Sequence, residues 1–159
     1  MTRLSLWGYE LEVDEQATRA WYAQAEEWSC TCGHCRNFLA LARERKLPEE
    51  ILHILDSLSI PAEKATYVCE LYHDESWEKK GLLYEISWRV AGAVVQTPEK
   101  KQNNGTAWGP PVVFPTFQMM VGHECYNIQP EFPEPSFDLD ISLYLPWVLD
   151  EPLDGPEEE

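Results

Sequence analysis

The sequence predicts an α+β protein: an N-terminal strand and short helices, followed by a mostly antiparallel β-sheet. Three observations carry this. Ile51, Ile54, Leu55 and Leu58 fall on one stripe at helical spacing. Ser136 to Leu145 alternates strictly, with Phe137, Leu139, Ile141, Leu143 and Leu145 on one side and Ser136, Asp138, Asp140, Ser142 and Tyr144 on the other. Helical patterns end near Pro61 and period-two patterns follow, and that segregation marks the α+β class.

Taken in order, Leu4 to Val13 is rich in aliphatic and aromatic residues and reads as one strand with a face switch near Gly8. Asp14 and Glu15 open a helix whose stripe is Ala17, Trp21, Ala25 and Trp28, with acids placed to suit the helix dipole. A cysteine-rich segment breaks it. A second helix runs from Cys35 to about Lys46, its cations Arg43, Arg45 and Lys46 gathered in the last turn. Pro48 starts the third, which ends at Ile60-Pro61.

The remainder reads as strands. Thr66 to His73 is short, and Leu82 to Val95 alternates Tyr84, Ile86, Trp88 and Val90 against Glu85, Ser87 and Arg89. Thr97 to Pro111 is a loop with Asn104-Gly105 as its turn. Val112 to Val121 is apolar on both sides and reads as a central strand, with Pro115 requiring a bulge or an edge. Pro130 to Pro135 is a connector. A single domain over residues 1–149 is expected, and residues 150–159 form an acidic tail expected to be disordered.

The net charge is −16, and all twelve Lys and Arg lie at or before Lys101. Nucleic acid and anionic membranes would be repelled, whereas a basic protein partner would be attracted. No apolar run approaches membrane-span length, and Gly8, Glu10 and Glu12 interrupt any signal-peptide core near the start. A cytoplasmic protein is expected, with cysteines present as thiols or metal ligands. No G-x-S-x-G, P-loop, G-x-G-x-x-G or H-E-x-x-H pattern occurs.

Chemical density peaks at Cys30-Thr31-Cys32-Gly33-His34-Cys35, which holds three of the five cysteines. Three readings stay open. The first is a zinc site, in which the Cys32/Cys35 knuckle and Cys30 supply thiolates and Cys69, His73, His123 or Cys125 completes the set. The second is a redox dithiol at a helix start, where the dipole lowers thiol pKa. The third is simple packing of buried thiols beside Trp28, with Arg36 and Asn37 making structural polar contacts. Asp138 and Asp140 share a strand face as an acid/base or divalent-metal pair would, although the clean alternation favours an ordinary solvent face. His53 falls off its helix stripe and is expected in solvent, and Trp77 and Trp108 either fold back on the core or form an aromatic patch.

Two resemblances add to this. Cys32-Gly33-His34-Cys35 resembles the CGHC motif of protein disulfide isomerase and the thioredoxin family, and Pro115-Thr116 resembles that family's cis-Pro-Thr segment. The resemblance implies a thiol–disulfide oxidoreductase with Cys32 as nucleophile, Cys35 as resolving thiol and Pro115 as the cis-proline. Separately, Cys32-Gly33-His34-Cys35-Arg36-Asn37-Phe38 together with Leu145-Pro146-Trp147-Val148-Leu149 resembles a group of small uncharacterised bacterial proteins. That likeness implies a shared fold and no activity. The favoured expectation is a non-enzymatic, acidic binding or accessory protein, for which a structural zinc at the cysteines is one option, and the alternative is the oxidoreductase.

Overall fold

The structure is a computed structural model that describes residues 1–97, 111–122 and 131–153. The expected loop turn at Asn104-Gly105, together with Trp108, His123 and Cys125, lies outside the described residues, as do residues 154–159 of the tail.

The architecture is α+β. Strands β1 (Thr2–Leu6), β2 (Tyr9–Val13), β3 (Tyr67–Tyr72), β4 (Leu82–Gln96), β5 (Val112–Val113), β6 (Phe117–Gly122) and β7 (Ser136–Leu145) form one sheet in the order β1-β2-β4-β7-β6-β5, with β3 also paired to β4. Every pairing is antiparallel. Helices α1 (Glu15–Gln24), α2 (Gly33–Arg43) and α3 (Glu49–Ser57) precede the long strands, and a single turn, α4 (Trp77–Lys80), links β3 to β4.

The segment expected as one N-terminal strand is a hairpin. Trp7 (φ 46°) and Gly8 (φ 96°) both lie in the left-handed region, which gives a two-residue turn whose twist suits the paired strands. The apparent face switch near Gly8 was therefore a reversal of the chain. The Val112–Val121 strand is likewise two strands. Pro115-Thr116 turns the chain, the Phe114 N–H donates to the Phe117 carbonyl at 2.7 Å, and the two rings stack at 4.4 Å.

Helix α1 begins where Asp14 accepts from the Ala17 N–H at 3.0 Å. It ends at Gln24, short of the expected stripe, because Ala25 is extended and Trp28 belongs to a separate segment tied to the Glu63 carbonyl. The buried residues of α1 are Thr18 and Tyr22. Both bind β4, through Thr18 Oγ1 to the Ala91 N–H and through the Tyr22 hydroxyl to the Arg89 carbonyl. Helix α2 starts two residues earlier than expected, at Gly33, and α3 carries the expected stripe inward, with Ile51, Ile54 and Leu55 buried.

Strand β4 is the spine. Its first half pairs with β3, its last five residues pair with β2, and β7 follows it from Leu82↔Leu145 to Ala91↔Ser136. The crossing onto β2 needs glycine at position 92. With φ 143°, a Cβ there would stand 2.0 Å from the Glu12 carbonyl oxygen. Tyr84, Ile86, Trp88 and Val90 face the helical layer, where Trp88 Nε1 donates to the Ala62 carbonyl.

The polar side of β7 is a solvent face only toward its C-terminal end, at Tyr144, which is 43% exposed. Asp138 is 1% and Asp140 0% exposed. Asp138 stands 3.1 Å from the Arg89 guanidinium, and Asp140 accepts from Ser87 Oγ at 2.5 Å. Burial first, then the neighbouring charges of Glu85 and Asp138, push the Asp140 carboxyl up to about 9. The shift favours the protonated, uncharged form of Asp140.

Candidate metal centre

The three cysteines come together at the entrance to α2. Cys32 is its N-cap, extended at φ −67° and ψ 164°, and its carbonyl accepts from the Arg36 N–H. Cys35 sits one turn in, so the C-x-x-C spacing returns it to the same side of the helix start. Cys30 reaches back from the preceding loop. The three Sγ atoms lie within 4.8 Å of one another, and the Cys30 and Cys32 sulfurs are 3.3 Å apart. No other group of three or more candidate metal ligands occurs among the described residues.

The thiols differ in surroundings. Cys30 is exposed, Cys32 half-buried and Cys35 3% exposed. The Cys32 backbone N–H, and after it the Cys32 thiol, holds the Cys30 thiol below its ordinary pKa. Burial dominates at Cys35 and pushes its thiol well up, while the Trp28 indole N–H donates to its sulfur at 3.0 Å and opposes that rise.

A frame of polar contacts holds this loop. Arg36 Nε donates to the Thr31 carbonyl at 3.0 Å, and its two Nη atoms grip the Glu151 carboxylate at 2.8 Å each. Asn37, fully buried, donates to the Tyr84 hydroxyl and the Pro146 carbonyl and accepts from the Val148 N–H. The Tyr84 hydroxyl in turn donates to the His34 carbonyl at 2.6 Å. Trp147 lies so close to Gly33 that a Cβ there would meet its ring at 3.2 Å, and Trp147 Nε1 donates to the Glu151 carbonyl. The segment 146–153 is therefore a strap across the helix start. Asn37 bridges to the sheet, as the packing reading expected, and also to this strap. No local pattern in the sequence links Glu151, an acid in the tail, to Arg36.

The remaining sequence candidates are placed elsewhere. Cys69 stands on β3, its thiol 3.7 Å from the Glu70 carbonyl, and His73 Nδ1 is 2.9 Å from Glu70 Oε2. Neither is part of the group of three sulfurs. His123 and Cys125 lie outside the described residues. Pro115 sits in the β5–β6 turn, and its peptide bond to Phe114 is not cis. No helix among the described residues is long and apolar enough to cross a membrane.

Fold and site together define an α+β protein whose distinctive chemistry is a three-thiol cluster at a helix N-terminus. Comparison with protein-family models, with curated proteins and with solved structures finds no match to this chain.

Proposed function

We propose that this is a small acidic binding or accessory protein whose working centre is the Cys30, Cys32 and Cys35 cluster, with zinc held by the three thiols. The observation that supports it is the convergence of three sulfurs within 4.8 Å from one loop and one helix start. Zinc favours such S donors, and a C-x-x-C turn presents two of them at once. Binding requires thiolates. The α2 N-terminus lends positive potential to their charge, and the Arg36 guanidinium is anchored on the intervening Thr31 carbonyl. A reducing, cytoplasmic setting fits four described cysteines that are all free thiols. The net charge of −16 favours a basic protein partner.

The test is elemental analysis of protein purified without chelator, beside Cys30→Ser, Cys32→Ser, Cys35→Ser and Cys69→Ser. Stoichiometric zinc in the parent and in Cys69→Ser, reduced in the other three, supports the reading. Protein that carries no zinc and takes none up on titration, while folded by circular dichroism, overturns it.

A further inference from the structure

The three sulfurs are not interchangeable, and their arrangement marks out one pair. We propose that Cys30 and Cys32 are a dithiol that peroxide oxidises to an intramolecular disulfide, while Cys35, adjacent but buried, remains a thiol. Cys30 and Cys32 stand on either side of Thr31, whose carbonyl is fixed by Arg36 Nε at 3.0 Å. Their sulfurs are already in contact at 3.3 Å. A disulfide requires about 2.05 Å, so closure is a movement of roughly 1.3 Å, within the reach of side-chain rotation.

Access separates the roles. Cys30 is exposed and meets a dissolved oxidant first, while Cys35 is buried, with its sulfur under the Trp28 indole N–H. The pairing therefore differs from the Cys32/Cys35 pair that the CGHC likeness implies.

The chemistry balances with peroxide as the two-electron oxidant. The Cys30 thiolate attacks one peroxide oxygen and the O–O bond breaks. Cys30 becomes a sulfenic acid, and the departing hydroxide is protonated to water. The Cys32 thiolate then attacks the Cys30 sulfur. The S–S bond forms, the S–O bond breaks, and the second hydroxide takes up the proton that Cys32 lost. Two thiols are oxidised, one peroxide is reduced, and two waters result. Where zinc occupies the cluster, the same step removes two of its thiolates together. That consequence rests on the zinc reading, whereas the disulfide does not.

The experiment treats metal-free, full-length protein with equimolar hydrogen peroxide, alkylates the remaining thiols, and maps the peptide containing residues 30–35 without reduction. A Cys30–Cys32 bond with Cys35 alkylated after denaturation is the expected result, reversed by dithiothreitol. In Cys35→Ser the bond still forms, and in Cys30→Ser it does not. A Cys32–Cys35 bond, a disulfide between chains, or sulfinic acid at Cys30 in place of a bond each overturns the proposal. A parallel sample incubated with zinc and then oxidised is read with a chromogenic chelator. If the disulfide forms but no zinc had bound, the zinc reading fails and the dithiol assignment stands.

Discussion

The Asn37 carboxamide oxygen lies 2.7 Å from the Val148 backbone nitrogen, joining the helix that carries the thiols to a segment 111 residues further along the chain. The same side chain donates to the Pro146 carbonyl at 2.9 Å and to the Tyr84 hydroxyl at 3.3 Å. One buried amide thus ties together α2, β4 and the strap. Asn37→Ala should lower unfolding stability by about 2–3 kcal/mol, because it orphans a backbone donor and acceptor at a protected site. Asn37→Asp should also destabilise, since a carboxylate cannot donate to Pro146. Urea denaturation followed by tryptophan fluorescence measures both. Glu151→Gln removes only a solvent-accessible ion pair with Arg36 and should change stability far less than Asn37→Ala, with the difference shrinking at high salt.

Asp140 makes stability depend on pH in the direction opposite to most carboxylates. Its folded pKa, near 9, lies above the unfolded value of about 3.9. The folded state keeps a proton that the unfolded chain releases. The contribution is full below about pH 4 and is lost as pH rises through 9, on the order of several kcal/mol across the window. Asp140→Asn keeps an oxygen for Ser87 and carries no charge. It should flatten the fall in stability between pH 5 and pH 9, as read by denaturant midpoints at each pH.

Gly92 and Gly33 are both crowded glycines with different consequences. Gly92→Ala puts a Cβ 2.0 Å from the Glu12 carbonyl oxygen at a left-handed φ of 143° and should cost more than about 3 kcal/mol or prevent folding. Gly33→Ala presses on the tip of the Trp147 ring at 3.2 Å, which can shift, and should cost about 1 kcal/mol. Thermal unfolding of the two variants separates them.

Native alkylation should follow exposure and thiol environment. Cys30, exposed and with its pKa lowered by the Cys32 N–H, should react first and keep reacting as pH falls below the ordinary thiol range near 8.5. Cys35, buried under Trp28, should react last of the three. Timed iodoacetamide labelling with peptide mass analysis gives the order, and equal rates at Cys30 and Cys35 would contradict the structure.

Much of this molecule could be read from local pattern, and the failures have a common cause. The β7 alternation predicted its boundaries, Ser136 and Leu145, because a two-residue period is a property of the strand itself. Which of its polar positions meet water is set by packing from outside the strand, and the alternation treats buried Asp138 and Asp140 and exposed Tyr144 alike. The hairpins at Trp7-Gly8 and Pro115-Thr116 look like continuous strands in the sequence because apolar residues flank each turn. The thiol cluster was legible as a list of ligand types. The 3.3 Å contact between Cys30 and Cys32 and the seclusion of Cys35 were not.

The α+β class, the helix stripes, the long alternating strands and the concentration of thiols at one helix start all follow from local pattern. These depend on neighbours in the chain, through side-chain period, helix dipole and turn chemistry. Packing across the chain buries Asp140 and raises its pKa, brings Asn37 and Arg36 onto a strap from the far end of the chain, and gives Cys30, Cys32 and Cys35 different exposures. Each of those properties is set by atoms distant in sequence, because burial and hydrogen-bond partnership are assigned by packing and not by the order of residues.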